Sequence, residues 1–297
     1  MNLVLLAALV LAGAGAAPPN GYTVAIGGDV TLARGIARRA ATEGWERVLA
    51  PLREVLSGAD ARLVNLESAS GSCLGGSTVQ RPRLCGDSDG LVALEQTGIT
   101  AVTVANNHAL DAGEAGLTNT KEALSRANVI VLGAEAVRTG RPTAEPLGPI
   151  TVVTANLTLS PLPPGNQIPI PTPDEVSAAV RAARDRDPSR SVLVILHGGR
   201  EMDPNPSSFE HVYAEAAVDG GAAAVVFHGS HVAHAFEMVA GVPVHLGLGN
   251  LLFDQRDPRA ASGKILLLRF RPGAPAEVME TRCVEATTGR RCGMGRK

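Results

Sequence analysis

Apolar and polar positions along the chain follow two periods. Short apolar, β-branched runs bounded by glycine or polar residues recur at 22–28, 61–64, 99–105, 128–133, 150–155, 191–196, 222–227 and 241–249, and each predicts a strand. Between them lie stretches with helical spacing. Residues 34–57 carry Ile36, Val48, Leu49, Leu52, Val55 and Leu56 on one stripe, and 91–97, 117–124, 174–186 and 209–218 also predict helices. Asp174 is the expected cap of the helix it opens. Residues 264–270 and 277–284 alternate and predict two antiparallel strands. The Pro-rich stretch 158–174 predicts an extended connector, because proline cannot donate to a ladder. Strands and helices alternate early and strands dominate late. That order predicts a mixed α/β sandwich in one domain over 20–285, with 286–297 as a tail.

Polar residues gather where the apolar runs stop. The run 22–28 ends in Asp29, and 61–64 ends in Asn65-Leu66-Glu67. The run 99–105 ends in Asn106-Asn107-His108, with Asp111 three residues on. The run 191–196 ends in His197, followed by Glu201; 222–227 ends in His228 and His231; 241–249 leads to Asn250. Four of the seven histidines fall at such ends. Each has a plain structural reading: Asp29 as a helix cap, Glu67 as a surface charge, His197 as a core histidine. Together they predict one crevice at the carboxyl ends of neighbouring strands, where open α/β sheets bind ligands.

Mixed carboxylate, amide and imidazole groups suit Mn, Fe or Zn better than an all-oxygen calcium cage. One or two divalent ions are expected. Two ions bridged by a carboxylate would activate a water and clamp a transition state. His108 is placed to protonate a leaving oxygen, with Asp111 orienting it. His245 reads as a core histidine, His234 as a surface residue and His211 as structural. Ser70, Ser160 and Ser230 lack a nucleophile-elbow context, which argues against a serine hydrolase.

Composition narrows the classes. Hydrophobic residues make up 45% of the 297, enough for a sizeable core. Aromatics are 3% and net charge is 27 minus 29, or −2, so neither stacking nor bulk charge favours nucleic acid. Residues 1–17 resemble a signal peptide: a short apolar core, then Ala14-Gly15-Ala16 and Pro18-Pro19, although no Lys or Arg precedes the core. The expected location is therefore extracytoplasmic, periplasmic or secreted. Cys73 and Cys85 flank one loop and Cys283 and Cys292 another. Two local disulfides are the simplest of three pairings; a zinc site of four thiolates competes, without the two-residue spacing such sites favour.

Six blocks then carry a resemblance: Gly28-Asp29-Val30-Thr31-Leu32-Ala33-Arg34-Gly35, Val64-Asn65-Leu66-Glu67, Ala105-Asn106-Asn107-His108-Ala109-Leu110-Asp111-Ala112-Gly113-Glu114, His197-Gly198-Gly199-Arg200-Glu201, His228-Gly229-Ser230-His231-Val232 and Leu248-Gly249-Asn250-Leu251-Leu252-Phe253-Asp254. In identity and order they resemble the CapA family of poly-gamma-glutamate capsule synthesis proteins. That family is similar to the calcineurin-like metallophosphoesterases, which implies a four-layer α/β/β/α sandwich and a dinuclear metal centre. The resemblance implies Asp29, Asn107, His197, His228 and His231 as ligands and His108 as the catalytic histidine. Glu67 would stand near the bridging carboxylate, with Asn65 as the competing alignment. Asn65, Asn106, Glu201 and Asn250 would support the ligands or meet substrate. The phosphoesterase Asp-x-His start is broken by Thr31; Phe227, Gly229 and Ser230 depart from the usual histidine block; Gly198 stands where a tryptophan is usual.

The implied function is an exported, metal-dependent hydrolase of a phosphoester or an envelope polymer. The alternative is a non-catalytic accessory protein of capsule assembly or export that holds a polyanion in the same crevice. A metal-free polymer-binding module is a third reading. Capsule synthesis or export proteins at the membrane are the expected partners.

Overall fold

The computed structural model describes residues 20–75, 82–159 and 168–293. The strands are β1 (Tyr22–Val30), β2 (Ala61–Leu66), β3 (Ala69–Ser70), β4 (Cys85–Gly86), β5 (Ala101–Thr103), β6 (Ile130–Leu132), β7 (Thr143–Leu147), β8 (Ile150–Asn156), β9 (Val192–His197), β10 (Ala224–His228), β11 (Phe236–Val239), β12 (Val242–His245), β13 (Asn250–Leu252), β14 (Ser262–Phe270), β15 (Glu277–Glu285) and β16 (Arg290–Arg291). The helices are α1 (Arg34–Glu43), α2 (Trp45–Val55), α3 (Ser88–Val92), α4 (Gly113–Arg126), α5 (Ala134–Thr139), α6 (Pro173–Arg186) and α7 (Ser208–Asp219).

One sheet runs β16-β15-β14-β1-β2-β5-β6, with β13 also paired to β1. The other runs β11-β12-β10-β9-β8-β7. Period two decides what each face meets. Val24, Ile26, Leu63 and Leu266 of the first sheet pack on Val152, Leu193, Ile195 and Val226 of the second, all essentially without solvent contact. The opposite face of the first sheet, with Ala25, Val64, Val102 and Ile265, packs on α1, α2, α4 and α5. The opposite face of the second, with Val153, Val194 and Val225, packs on α6 and α7. The four-layer α/β/β/α sandwich implied by the resemblance is therefore present.

The same parity aims the strand ends. Asn65 continues the series Ala61, Leu63; His197 continues Leu193, Ile195; His228 continues Ala224, Val226. All three reach the space between the sheets. Asp29 does not follow by parity from Val24 and Ile26. In the β1–β2 register Ile26 pairs with Leu63 and Asp29 with Asn65, so β1 spends one extra residue at Gly27-Gly28. A bulge of this kind turns the following side chain to the other face. Here it puts Asp29 between the sheets. The bulge needs glycine: a Cβ on Gly28 would lie 1.9 Å from the Gly249 carbonyl oxygen, and one on Gly27 2.6 Å from Leu251.

Several sequence expectations change. The helix predicted over 34–57 breaks at Gly44, whose φ of 85° ends α1 and starts α2. Asp174 does not cap α6: Thr172 accepts from the Glu175 N–H while the Glu175 carboxylate accepts from the Thr172 N–H, with Pro173 in the first turn. The strand predicted over 241–249 shortens to β12 in the second sheet, and β13, starting at Asn250 beyond it, joins the first. Strands β7 and β11 were not predicted; both are edge strands, β7 containing Pro146 and β11 half exposed. The signal-peptide expectation and residues 160–167 of the Pro-rich connector lie outside the described residues.

Gly28→Ala is expected to cost at least about 3 kcal/mol, because the clash is with backbone. Gly241→Ala has φ of 81° but open space around it, so a cost of only about 1 kcal/mol is expected. Urea midpoints of the two variants compare them directly.

Candidate metal centre

Both sheets deliver polar side chains to one buried pocket. Across the first sheet Asn250, Asp29 and Asn65 are register partners; across the second, Asn156, His197 and His228 are. Asp29, Asn65, Glu67, His197, His228 and His231 are each under 5% exposed. Single atoms of Asp29, Glu67 and His197 lie within 4.8 Å of one another, the spacing a cation needs. His228 Nδ1 and His231 Nδ1 each stand 3.2 Å from the Asp29 carboxylate. His231 Nε2 is 3.7 Å from Glu67 Oε2, and His197 Nδ1 is 3.6 Å from Glu67 Oε1.

Local backbone makes this approach possible. Between His228 and His231 the chain turns at Gly229, with φ of 99°, and His231 itself takes φ of 58°. A left-handed non-glycine residue is costly and is held by its surroundings. Asn250 Oδ1 lies 2.9 Å from His231 Nδ1, and Phe253 packs against the imidazole at 4.9 Å between centroids. Asn107 Oδ1 lies 3.0 Å from His197 Nε2, so the amide meets the far nitrogen of that ring. An amide oxygen can only accept, which leaves His197 Nδ1 as a lone pair turned to the carboxylates.

Two buried atoms of the pocket have no hydrogen-bond partner: Glu67 Oε2 and His228 Nε2. Leaving such groups unsatisfied is costly, and a divalent cation is what this donor set fits. Burial favours a neutral Glu67, and the neighbouring Asp29 charge adds to it, so its pKa stands well above the usual carboxylate range. Burial opposes the charge on Asp29 too, but hydrogen bonds and charge from His228 and His231 win and hold it well below that range. Burial pulls His197 down to about 3, which keeps it neutral. Burial would also lower His231; Glu67, Asp29 and the exposed Glu201 outweigh it and hold it up at about 10.

His108 stands beside the cluster, 7% exposed, its backbone N–H donating to Asn106, whose amide donates to Asn65. Its Nδ1 lies 2.8 Å from Asp111 Oδ2. Asp111 is held in turn: the Leu84 N–H donates to Oδ2 at 2.6 Å, the Leu74 N–H donates to its carbonyl at 2.8 Å, and Arg83 Nη1 is 3.6 Å from Oδ1. Leu74 and Leu84 adjoin Cys73 and Cys85, which form a disulfide, as do Cys283 and Cys292. Arg83 and the loop amides were not anticipated; nothing in their spacing marks them.

The remaining histidines divide. His245 is buried in β12 as expected, and burial pulls its pKa down to about 3. His211 joins Glu237 at 3.3 Å on the surface. His234 is not a surface residue: it is 2% exposed, with ring nitrogens 2.9 Å from the Leu246 and Asp203 carbonyls, because the chain folds back at the Ala233–Leu248 bridge.

The sequence profile described as "Bacterial capsule synthesis protein PGA_cap" matches residues 23–255. The chain belongs to that family. Among curated members similar to it, the capsule biosynthesis protein CapA of Bacillus anthracis is 27% identical over 201 residues, 62% of this chain and 47% of that protein. The PGA biosynthesis protein CapA of Bacillus subtilis is 27% identical over 187 residues, 57% of this chain and 46% of that one. The PGA_cap chain thus spans about half the length of these two. A "Probable polyglutamine synthesis accessory protein" of Mycobacterium tuberculosis is 25% identical over 293 residues, 80% of this chain and 75% of that one. Among solved structures, NAD nucleotidase (NadN) of Haemophilus influenzae superposes with a TM-score of 0.55 at 13% identity, over 89% of this chain and 50% of that one. That likeness is one of fold.

A cation entering the pocket has to displace protons from Glu67 and His231. Mn²⁺ binding is therefore expected to strengthen as pH rises toward about 10, where His231 is held, and to release protons as the ion binds. Titration calorimetry in buffers of different ionisation enthalpy reads both; an affinity independent of pH would contradict the ligand set.

Proposed function

We propose that this PGA_cap chain is an exported, metal-dependent hydrolase of a phosphoester or of a bond in an envelope polymer such as poly-gamma-glutamate. The observation that supports it is the His108–Asp111 dyad beside a buried cluster built for a cation. Asp29, Glu67 and His197 would hold the ion, with His228 and His231 closing the pocket. The ion would polarise the scissile group and neutralise charge that develops on it. Asn107 keeps His197 in the tautomer with Nδ1 free. The Asp111 carboxylate can only accept, so His108 carries its proton on Nδ1, which leaves Nε2 for proton transfer. As imidazolium, that Nε2–H donates to the leaving oxygen. The Leu84 N–H and Arg83 keep Asp111 from turning away.

The two disulfides fit an oxidising compartment, in line with export. No helix among the described residues is long and apolar enough to cross a membrane. Capsule synthesis or export proteins at the membrane are the proposed partners. A non-catalytic accessory role is the second reading. Thr31 favours it: it stands where the phosphoesterases carry a histidine ligand, and its hydroxyl accepts from the Ala33 N–H at 3.3 Å.

His108→Ala is expected to lower turnover of an aryl phosphate or of poly-gamma-glutamate by about 10²- to 10⁴-fold. Mn²⁺ affinity should stay near wild type. If metal-loaded protein turns over neither substrate and His108→Ala still supports capsule formation, the accessory reading replaces the hydrolase.

A further inference from the structure

The amide of Asn65 lies at the middle of the pocket, and its orientation is fixed from outside. The His108 backbone N–H can only donate, and it meets Asn106 Oδ1 at 3.0 Å. The Leu66 carbonyl can only accept, and it meets Asn106 Nδ2 at 2.8 Å. Two backbone groups therefore set which end of the Asn106 amide is oxygen. Asn106 Nδ2 then donates its other hydrogen to Asn65 at 3.1 Å, and the atom it meets has to be Oδ1. Asn65 is left with Nδ2 facing inward, 2.8 Å from Asp29 Oδ1, 2.9 Å from Glu67 Oε1 and 3.2 Å from His197 Nδ1.

An NH₂ group has no lone pair for a cation. It has two hydrogens, and the two carboxylate oxygens take them. We infer that Asn65 is a locked hydrogen-bond donor that limits this centre to one cation, held by Asp29, Glu67 and His197. Two cations about 3.5–4 Å apart repel and need anionic or lone-pair donors between them. Beside the one cluster, Asn65 Oδ1, Thr31 Oγ1 and Asn107 Oδ1 each already take one hydrogen bond, and the imidazoles of His228 and His231 face the same Asp29 and Glu67 carboxylates that the first ion needs. Asn65 acts as a positioning residue. It fixes one oxygen of Asp29 and one of Glu67, and leaves Glu67 Oε2, which has no other hydrogen-bond partner, to meet the ion.

The inference rests on the metal-centre reading, and a manganese titration separates the two. Mn²⁺ is added to the full chain and followed by electron paramagnetic resonance and by metal analysis after desalting. The expected result is saturation near about one equivalent with an uncoupled manganese signal, against the pair that a two-metal site would take. Two equivalents with an exchange-coupled spectrum would overturn the single-ion inference and leave the metal centre standing. No uptake would remove both. In Asn65→Asp, with folding checked by circular dichroism, a rise to about two equivalents and a coupled spectrum are expected, since the carboxylate supplies the missing lone pairs. A folded Asn65→Asp that stays at one equivalent would overturn the role given to the amide. If that variant does not fold, the wild-type spectrum decides alone.

Discussion

A charged carboxylate buried between two apolar sheets is the feature on which the rest of this site depends. Removing such a charge from water costs several kcal/mol unless partners replace the water. Asp29 has no solvent contact, and its partners come from every side: the Asn65 amide, the Gly229 N–H, and the imidazoles of His228 and His231. No single sheet could supply that set. The first gives the acids and amides, the second gives the imidazoles, and the apolar layer between them fixes how closely the two rows approach. The positive φ of His231 and the tight turn at Gly229 are local strain that this arrangement sustains.

Much of this was legible in the sequence, because period two is a strong rule. Asn65, His197 and His228 extend apolar runs whose facing residues form the intersheet core, so their inward aim follows from counting. Asp29 does not follow from counting. Its aim comes from a bulge, for which the local sign was the Gly27-Gly28 pair within a strand. The strand ends already implied one crevice; the CapA resemblance supplied the ligand roles that spacing alone left open, and membership of the PGA_cap family agrees with it. Glu67 and Asn65 were competing alignments, and both reach the pocket, with different chemistry.

What stayed hidden depended on contacts distant in sequence. Nothing near His234 shows that Leu246 and Asp203 will enclose it. Nothing near Asn107 shows that its oxygen will meet His197, ninety residues away. The cap of α6 was misplaced by two residues because Asp174 and Thr172 are both good caps, and the reciprocal bond with Glu175 selects Thr172.

The loop behind Asp111 links covalent chemistry to the dyad. Cys73 and Cys85 close a ring with a separation of 12, and the residue after the first and the residue before the second both grip Asp111. A cross-link around so short a loop is worth about 3 kcal/mol in chain entropy. Without the cross-link the two grips on Asp111 would be tethered only by their own hydrogen bonds. Oxidation fastens them together. In surroundings where thiols pair, this cross-link would hold the two grips, and with them the seat of Asp111, together.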